Sequence, residues 1–155
     1  DFDLRSGPRE GALAVALGIG AQLALLPAIY WVILRFVSGD PGESAQALAD
    51  RVNGPLDVTL FVISVVLIAP IVEEWFYRGM VLSTLSRRFG VIGGAVGSSS
   101  IFALVHQELL LMPGLFLLSL ILSWLTVRTA RLGPAILAHM AFNATTVVQL
   151  LVIQA

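Results

Sequence analysis

Apolar residues run along this chain in long blocks, broken by short polar stretches, with no sustained alternation of the kind a strand needs. A helix requires about 20 apolar residues to cross a bilayer, and five blocks approach or exceed that length. The first, 12–37, is interrupted by Pro27, which a membrane helix can accommodate as a kink. The second starts near Leu56 and passes through the charged stretch IVEEWFYRG (71–79) to about Arg88. As one helix rising ~1.5 Å per residue it is roughly 50 Å long, more than the hydrocarbon is thick, so its last turns leave the core or bend. The third block lies within 91–112, the fourth within 113–127 and the fifth within 134–153. GDPGESAQALADRVNGP (39–55) is the one long polar connector, and ARLGP is a short one. The pattern predicts an all-α, multi-pass transmembrane helix bundle with about five membrane helices. It divides into an N-terminal membrane helix with its connector (1–55) and a helical core carrying the polar motifs (56–155).

Composition supports lipid as the solvent. Of 155 residues, 57% are hydrophobic and 12% charged, against about 45–50% and about 25% in soluble domains. A chain this short cannot bury so much apolar surface in one core. The net charge of −1 leaves no electrostatic footprint for nucleic acid, and the absence of cysteine excludes disulfides and thiol catalysis. The chain opens on DFDLRSGPREG without an initiator Met or a signal peptide, and is expected to be a fragment of a longer protein. If the segments alternate, Arg5, Arg9, Arg87, Arg88, Arg128 and Arg131 fall on one side and only Arg35 and Arg51 on the other. The positive-inside rule makes the first side cytoplasmic.

Against this background five ionisable side chains stand out: Glu73, Glu74, Arg78, His106 and His139. A charge at mid-bilayer costs about 2.5–3.5 kcal/mol on insertion scales, so such residues face a bundle interior or a wet cavity and mark function by default. Glu74 and Arg78 are four apart with the acid first, the better order for pairing on one helix face; such a pair is a structural lock at least as often as chemistry. It leaves Glu73, about 100° around the helix, without a local partner. In FALVHQE, Phe102 and His106 share a face. In HMAFN, His139 and Asn143 do, and alone they would be interhelical hydrogen-bond glue. Together the three clusters, on three separate apolar segments, supply what amide hydrolysis needs. One group must take a proton from water, and others must stabilise the oxyanion.

These motifs, E-E-x-x-x-R in EEWFYR, F-x-x-x-H in FALVH and H-x-x-x-N in HMAFN, resemble in kind and order those of the CPBP (Abi) family. That family includes type II CAAX prenyl endopeptidases and bacteriocin-processing or bacteriocin-immunity proteins. The resemblance covers roughly 56–153. It implies that Glu73 is the general base, that His106 holds and polarises the water, and that His139 and Asn143 hydrogen-bond the oxyanion, with Glu74 and Arg78 supporting. It further implies an intramembrane endopeptidase in the cell membrane, acting on a peptide or lipidated protein substrate among membrane lipids; the arginine count puts the opening of its active site towards the cytoplasm. No cofactor is expected; the alternative is a zinc ion on Glu73, His106 and His139, a two-His-one-carboxylate set. The rival functions are a non-proteolytic binding or immunity protein on the same scaffold and a proton-coupled transporter.

Depth sets one further expectation. If the third helix begins at Val91, His106 falls ~22 Å along it, too deep to meet Glu73 near the cytoplasmic face. GVIGGAVG (90–97) is therefore expected to be a loop or interfacial entry, with the membrane helix starting near Ser98.

Overall fold

In a computed structural model of the chain, which describes residues 3–153, every regular element among the described residues is helical. Helix α1 is Pro8–Ile33, and α2 is the short connector helix Glu43–Ala49. A continuous helical run, Pro55–Val105, follows; a kink at Gly90 divides it into α3 (55–89) and α4 (91–105). Helices α5 (Met112–Thr129) and α6 (Gly133–Leu151) complete the bundle. The four runs are each long and apolar enough to cross a membrane, and the break at Gly90 turns them into the five expected segments. The chain is a multi-pass membrane protein.

The break has a backbone cause. Gly90 has φ 76° and ψ 169°, a conformation that costs little only without a Cβ. The chain reverses there: Ser86 packs on Gly94, Leu85 on Gly97, and the Ser98 hydroxyl donates to the Tyr77 carbonyl at 3.0 Å. GVIGGAVG is thus ordered helix directly after Gly90 and not the expected loop. Its small residues let the two arms of the hairpin approach closely. The depth problem resolves otherwise. Glu73 lies 17 residues before Gly90 and His106 lies 16 after it, so both stand about 25 Å from one turn on antiparallel arms, at the same level.

Two prolines are built into helices by the same device. Five residues around Ala21–Leu25 and six around Ile63–Ile68 take the wider π turn, and each precedes a proline, Pro27 and Pro70. Widening the turn accommodates a ring that would otherwise clash one turn back. In the second case the Ala69 amide reaches back to the Ser64 carbonyl. The next carbonyl, Val65, would take its π-type bond from residue 70, which has no N–H.

The core is the seam where α1, α5 and α6 meet: Ala14, Ala21, Leu26 and Tyr30 against Leu118, Leu122 and Leu125, with Ala135, Ala138 and Phe142. Gly18 lies so close to the Ala138 carbonyl that a Cβ would overlap it; small residues let membrane helices touch backbone to backbone. The outward residues of α3, among them Leu56, Leu60, Ile68, Val72, Trp75 and Phe76, are apolar and exposed, and in a membrane they meet lipid.

The two ends of the bundle differ. At one, the Leu132 amide donates to the Asp3 carbonyl, and Arg131 pairs with Asp3 at 3.3 Å and Glu10 at 3.2 Å. The start of α1 therefore sits beside the α5–α6 turn, with Arg5, Arg9 and Arg128 nearby in sequence. At the other, the Ser44 hydroxyl donates to Glu108 at 2.6 Å and the Tyr30 hydroxyl to the Leu111 carbonyl at 3.4 Å, so the connector covers the α4–α5 loop. Arg128 lies over Trp124 and Arg35 over Trp31, cation and indole pairs suited to the two membrane interfaces.

Candidate active site

The polar residues meet where α3, α5 and α6 touch. Glu74 and Arg78 are fully buried, and the Arg78 Nη1 donates to Glu74 Oε1 at 2.9 Å. The same oxygen accepts from His139 Nδ1 at 2.8 Å. Glu73, partly exposed, turns its Oε2 to the other ring nitrogen, 3.8 Å from His139 Nε2. Neighbouring carboxylates of one helix therefore grip a single imidazole from another, and the guanidinium offsets one of the two negative charges. The bond to Glu74 defines the ring: a carboxylate oxygen only accepts, so Nδ1 carries a proton.

Arg78 has a second anchor. Its Nη2 donates to the Ser119 hydroxyl at 2.7 Å and to the Ser119 carbonyl at 3.1 Å, on α5. The guanidinium also lies over the Phe102 ring, 4.9 Å from its centre. Phe102 is completely buried and is the hub of the site: Tyr77, His106 and His139 pack around it at ring-centre distances of 5.1, 4.7 and 5.9 Å.

His106 caps the C-terminal end of α4 and is exposed. Its Nδ1 donates to the Phe102 carbonyl at 2.7 Å, which leaves Nε2 with its lone pair directed away from the helix. The Phe102 ring stands between the two imidazoles, packed on both. Asn143, one turn beyond His139, donates to the Val65 carbonyl at 2.8 Å, the acceptor left over by Pro70. A carboxamide has two N–H groups, so one donor remains. The site thus joins Glu73, Glu74, Arg78 and His139 by direct contact, with His106 and Asn143 at its margins, each tied to a helix carbonyl.

Zinc needs three or four donors about 2.0–2.3 Å from the ion. Among the described residues no three His, Cys, Asp or Glu side chains gather in this way. The set Glu73, His106 and His139 does not gather around one point in this arrangement. Trp75 and Phe76 point outward and are about half exposed, while Tyr77 is buried against Phe102. Ser119 belongs to the site without belonging to a motif. Its signal in the sequence is the pair Ser119 and Ser123, four apart in LFLLSLILSWL, a small polar face on an otherwise apolar stretch.

The chain is similar in sequence to several known membrane proteins. A model of the family described as type II CAAX prenyl endopeptidase Rce1-like matches residues 55–145. The putative membrane peptidase YdiL of Bacillus subtilis (strain 168) is 28% identical over 113 residues, 73% of this chain and 45% of that protein. The membrane-embedded CAAX protease MroQ of Staphylococcus aureus (strain USA300) is 33% identical over 97 residues, 59% of this chain and 39% of that protein. An uncharacterized 24.3 kDa protein of Escherichia coli is 35% identical over 95 residues, 58% and 43% of the two chains. The chain spans less than half the length of these relatives. No solved structure matches it significantly. The family match takes in all three motifs and more than half of the chain; the chain belongs to the Rce1-like family of type II CAAX prenyl endopeptidases.

Proposed function

We propose that this protein is an intramembrane endopeptidase that hydrolyses a peptide bond with water activated by Glu73. The observation that carries the reading is the grip of Glu73 and Glu74 on His139 inside an apolar bundle. In a low-dielectric site such an arrangement is costly unless it works. Glu73 is the less buried of the two acids and lacks the guanidinium contact that holds Glu74, so it is the one free to take a proton. Its carboxylate removes a proton from water, and the water oxygen bonds to the carbonyl carbon. The oxyanion takes the spare Asn143 N–H and, when the His139 ring is doubly protonated, its Nε2–H. The C–N bond then breaks, and the proton held by Glu73 passes to the leaving amine. His106 offers Nε2 as an acceptor that orients the water. Glu74 and Arg78 hold the His139 ring and balance charge.

The proposed hydrolysis uses protein side chains alone, Glu73 as base and His139 and Asn143 as donors. The substrate is the end of a lipidated protein or a small membrane-associated peptide, which suits a site reached through lipid-facing apolar walls. The site opens to the cytoplasm: the arginine-rich end is cytoplasmic by the positive-inside rule.

Cleavage of a peptide library by the full-length protein in proteoliposomes, with and without chelator, tests this. Wild type cuts with or without chelator, and Glu73→Gln loses about 10²- to 10⁴-fold, the usual worth of a general base. Equal processing by Glu73→Gln would favour a non-proteolytic binding or immunity role, and proton flux without cleavage would favour transport.

A further inference from the structure

We propose that Ser119 of α5 is a positioning residue for the His139 ring, acting through Arg78 and Glu74. The proposal rests on the peptidase reading for its consequence in catalysis, and on geometry alone for its structural content. Four side chains form one chain of bonds across three helices: Ser119 on α5, Arg78 and Glu74 on α3, His139 on α6. All four are buried, three of them completely and His139 at 4% exposure.

The guanidinium is planar and donates through two separate nitrogens. Nη1 reaches Glu74, while Nη2 reaches both acceptors of Ser119. Two anchor points on different helices define the plane's orientation; without the 2.7 Å bond to the hydroxyl, Nη2 keeps only the longer 3.1 Å contact to the Ser119 carbonyl on α5, and the group is freer to turn over the Phe102 ring. Glu74 Oε1 is shared between Arg78 and His139, so a guanidinium that turns draws that oxygen away from Nδ1. The bond that keeps the proton on Nδ1 and aims Nε2 at Glu73 is then lost. The motif arginine thus acts only as well as α5 holds it, and α5 carries none of the three motifs.

The protein has only two histidines, so ¹⁵N-histidine labelling of the full chain in micelles yields two ring patterns, assigned with His106→Gln. The expected wild-type pattern for His139 has the proton on Nδ1. In Ser119→Ala it changes to a mixture of ring forms, Ser119→Thr retains the wild-type pattern, and His106 is unmoved in both. Cleavage by Ser119→Ala falls about 10- to 100-fold in kcat, the worth of a hydrogen bond to a charged group, with KM within about twofold. Ser123→Ala, one turn further along α5 and buried without a side-chain partner, leaves ring pattern and kcat at wild-type values. If Ser119→Ala does not fold, Ser119→Cys, close to serine in volume and a weak acceptor, is read in its place. A wild-type His139 pattern in the variant lacking the hydroxyl overturns the proposal whatever the activity. A changed pattern in a protein whose wild type cleaves nothing upholds the Ser119 link and sinks the peptidase reading instead.

Discussion

Replacing Arg78 by methionine tests the electrostatic core of the site. Methionine is apolar and flexible enough to fill much of the space, so the change removes charge more than volume. In the wild type, Glu74 and Arg78 have side chains with 0% exposure, 2.9 Å apart. At an effective dielectric of about 20 their attraction is roughly 6 kcal/mol, most of it offset by the cost of dehydrating both ions. Breaking the pair leaves the Glu74 carboxyl buried with His139 as its one hydrogen-bond donor, and removal of one partner of a buried pair typically costs about 3–5 kcal/mol. In a chain of this size 1 kcal/mol corresponds to about 2–4 °C, so Arg78→Met lowers the melting temperature by roughly 6–20 °C. Adding Glu74→Gln removes the orphaned carboxyl and keeps an oxygen for His139 Nδ1. The double variant therefore recovers at least half of the loss, and the coupling between the two sites is about 2 kcal/mol or more. Thermal unfolding in micelles, followed by the three tryptophans, gives all four corners of the cycle. Additivity of the two single changes within about 0.5 kcal/mol would refute the reasoning, because it means that the acid and the guanidinium do not share a buried contact.

Two other changes follow from the backbone. Pro70→Ala restores an N–H that can bond to the Val65 carbonyl, displacing the Asn143 carboxamide; helix content holds or rises while, on the proposed mechanism, kcat falls by about 10-fold or more, because Asn143 loses the anchor that would aim its second N–H at the oxyanion. Unchanged kcat in a folded Pro70→Ala protein means that the Asn143 bond is incidental. Gly90→Val forces a β-branched residue into φ 76° and lowers stability by about 1–3 kcal/mol, read as a drop in melting temperature, whereas Gly90→Asn, more tolerant of positive φ, costs less; equal effects of the two would remove the backbone explanation of the turn.

The family and the all-helical membrane architecture were legible in the sequence because both rest on local signals. Long apolar blocks state a length that only a bilayer demands, and each motif has a spacing of three or four residues, one helix face. The pairing of Glu74 with Arg78 was legible for the same reason. Tertiary structure decided what spacing cannot express. That Glu74, rather than Glu73, takes the direct bond from His139 depends on how α3 rotates against α6, and two adjacent residues differ by 100° on a helix. That GVIGGAVG is helix and not loop turns on a single glycine dihedral at the hairpin turn. The link from Pro70 through Val65 to Asn143 joins positions 78 residues apart, and the link from Arg78 to Ser119 spans 41. A helix satisfies its own backbone within four or five residues, so its sequence reports which face is polar; which distant group answers that face is settled only when helices pack.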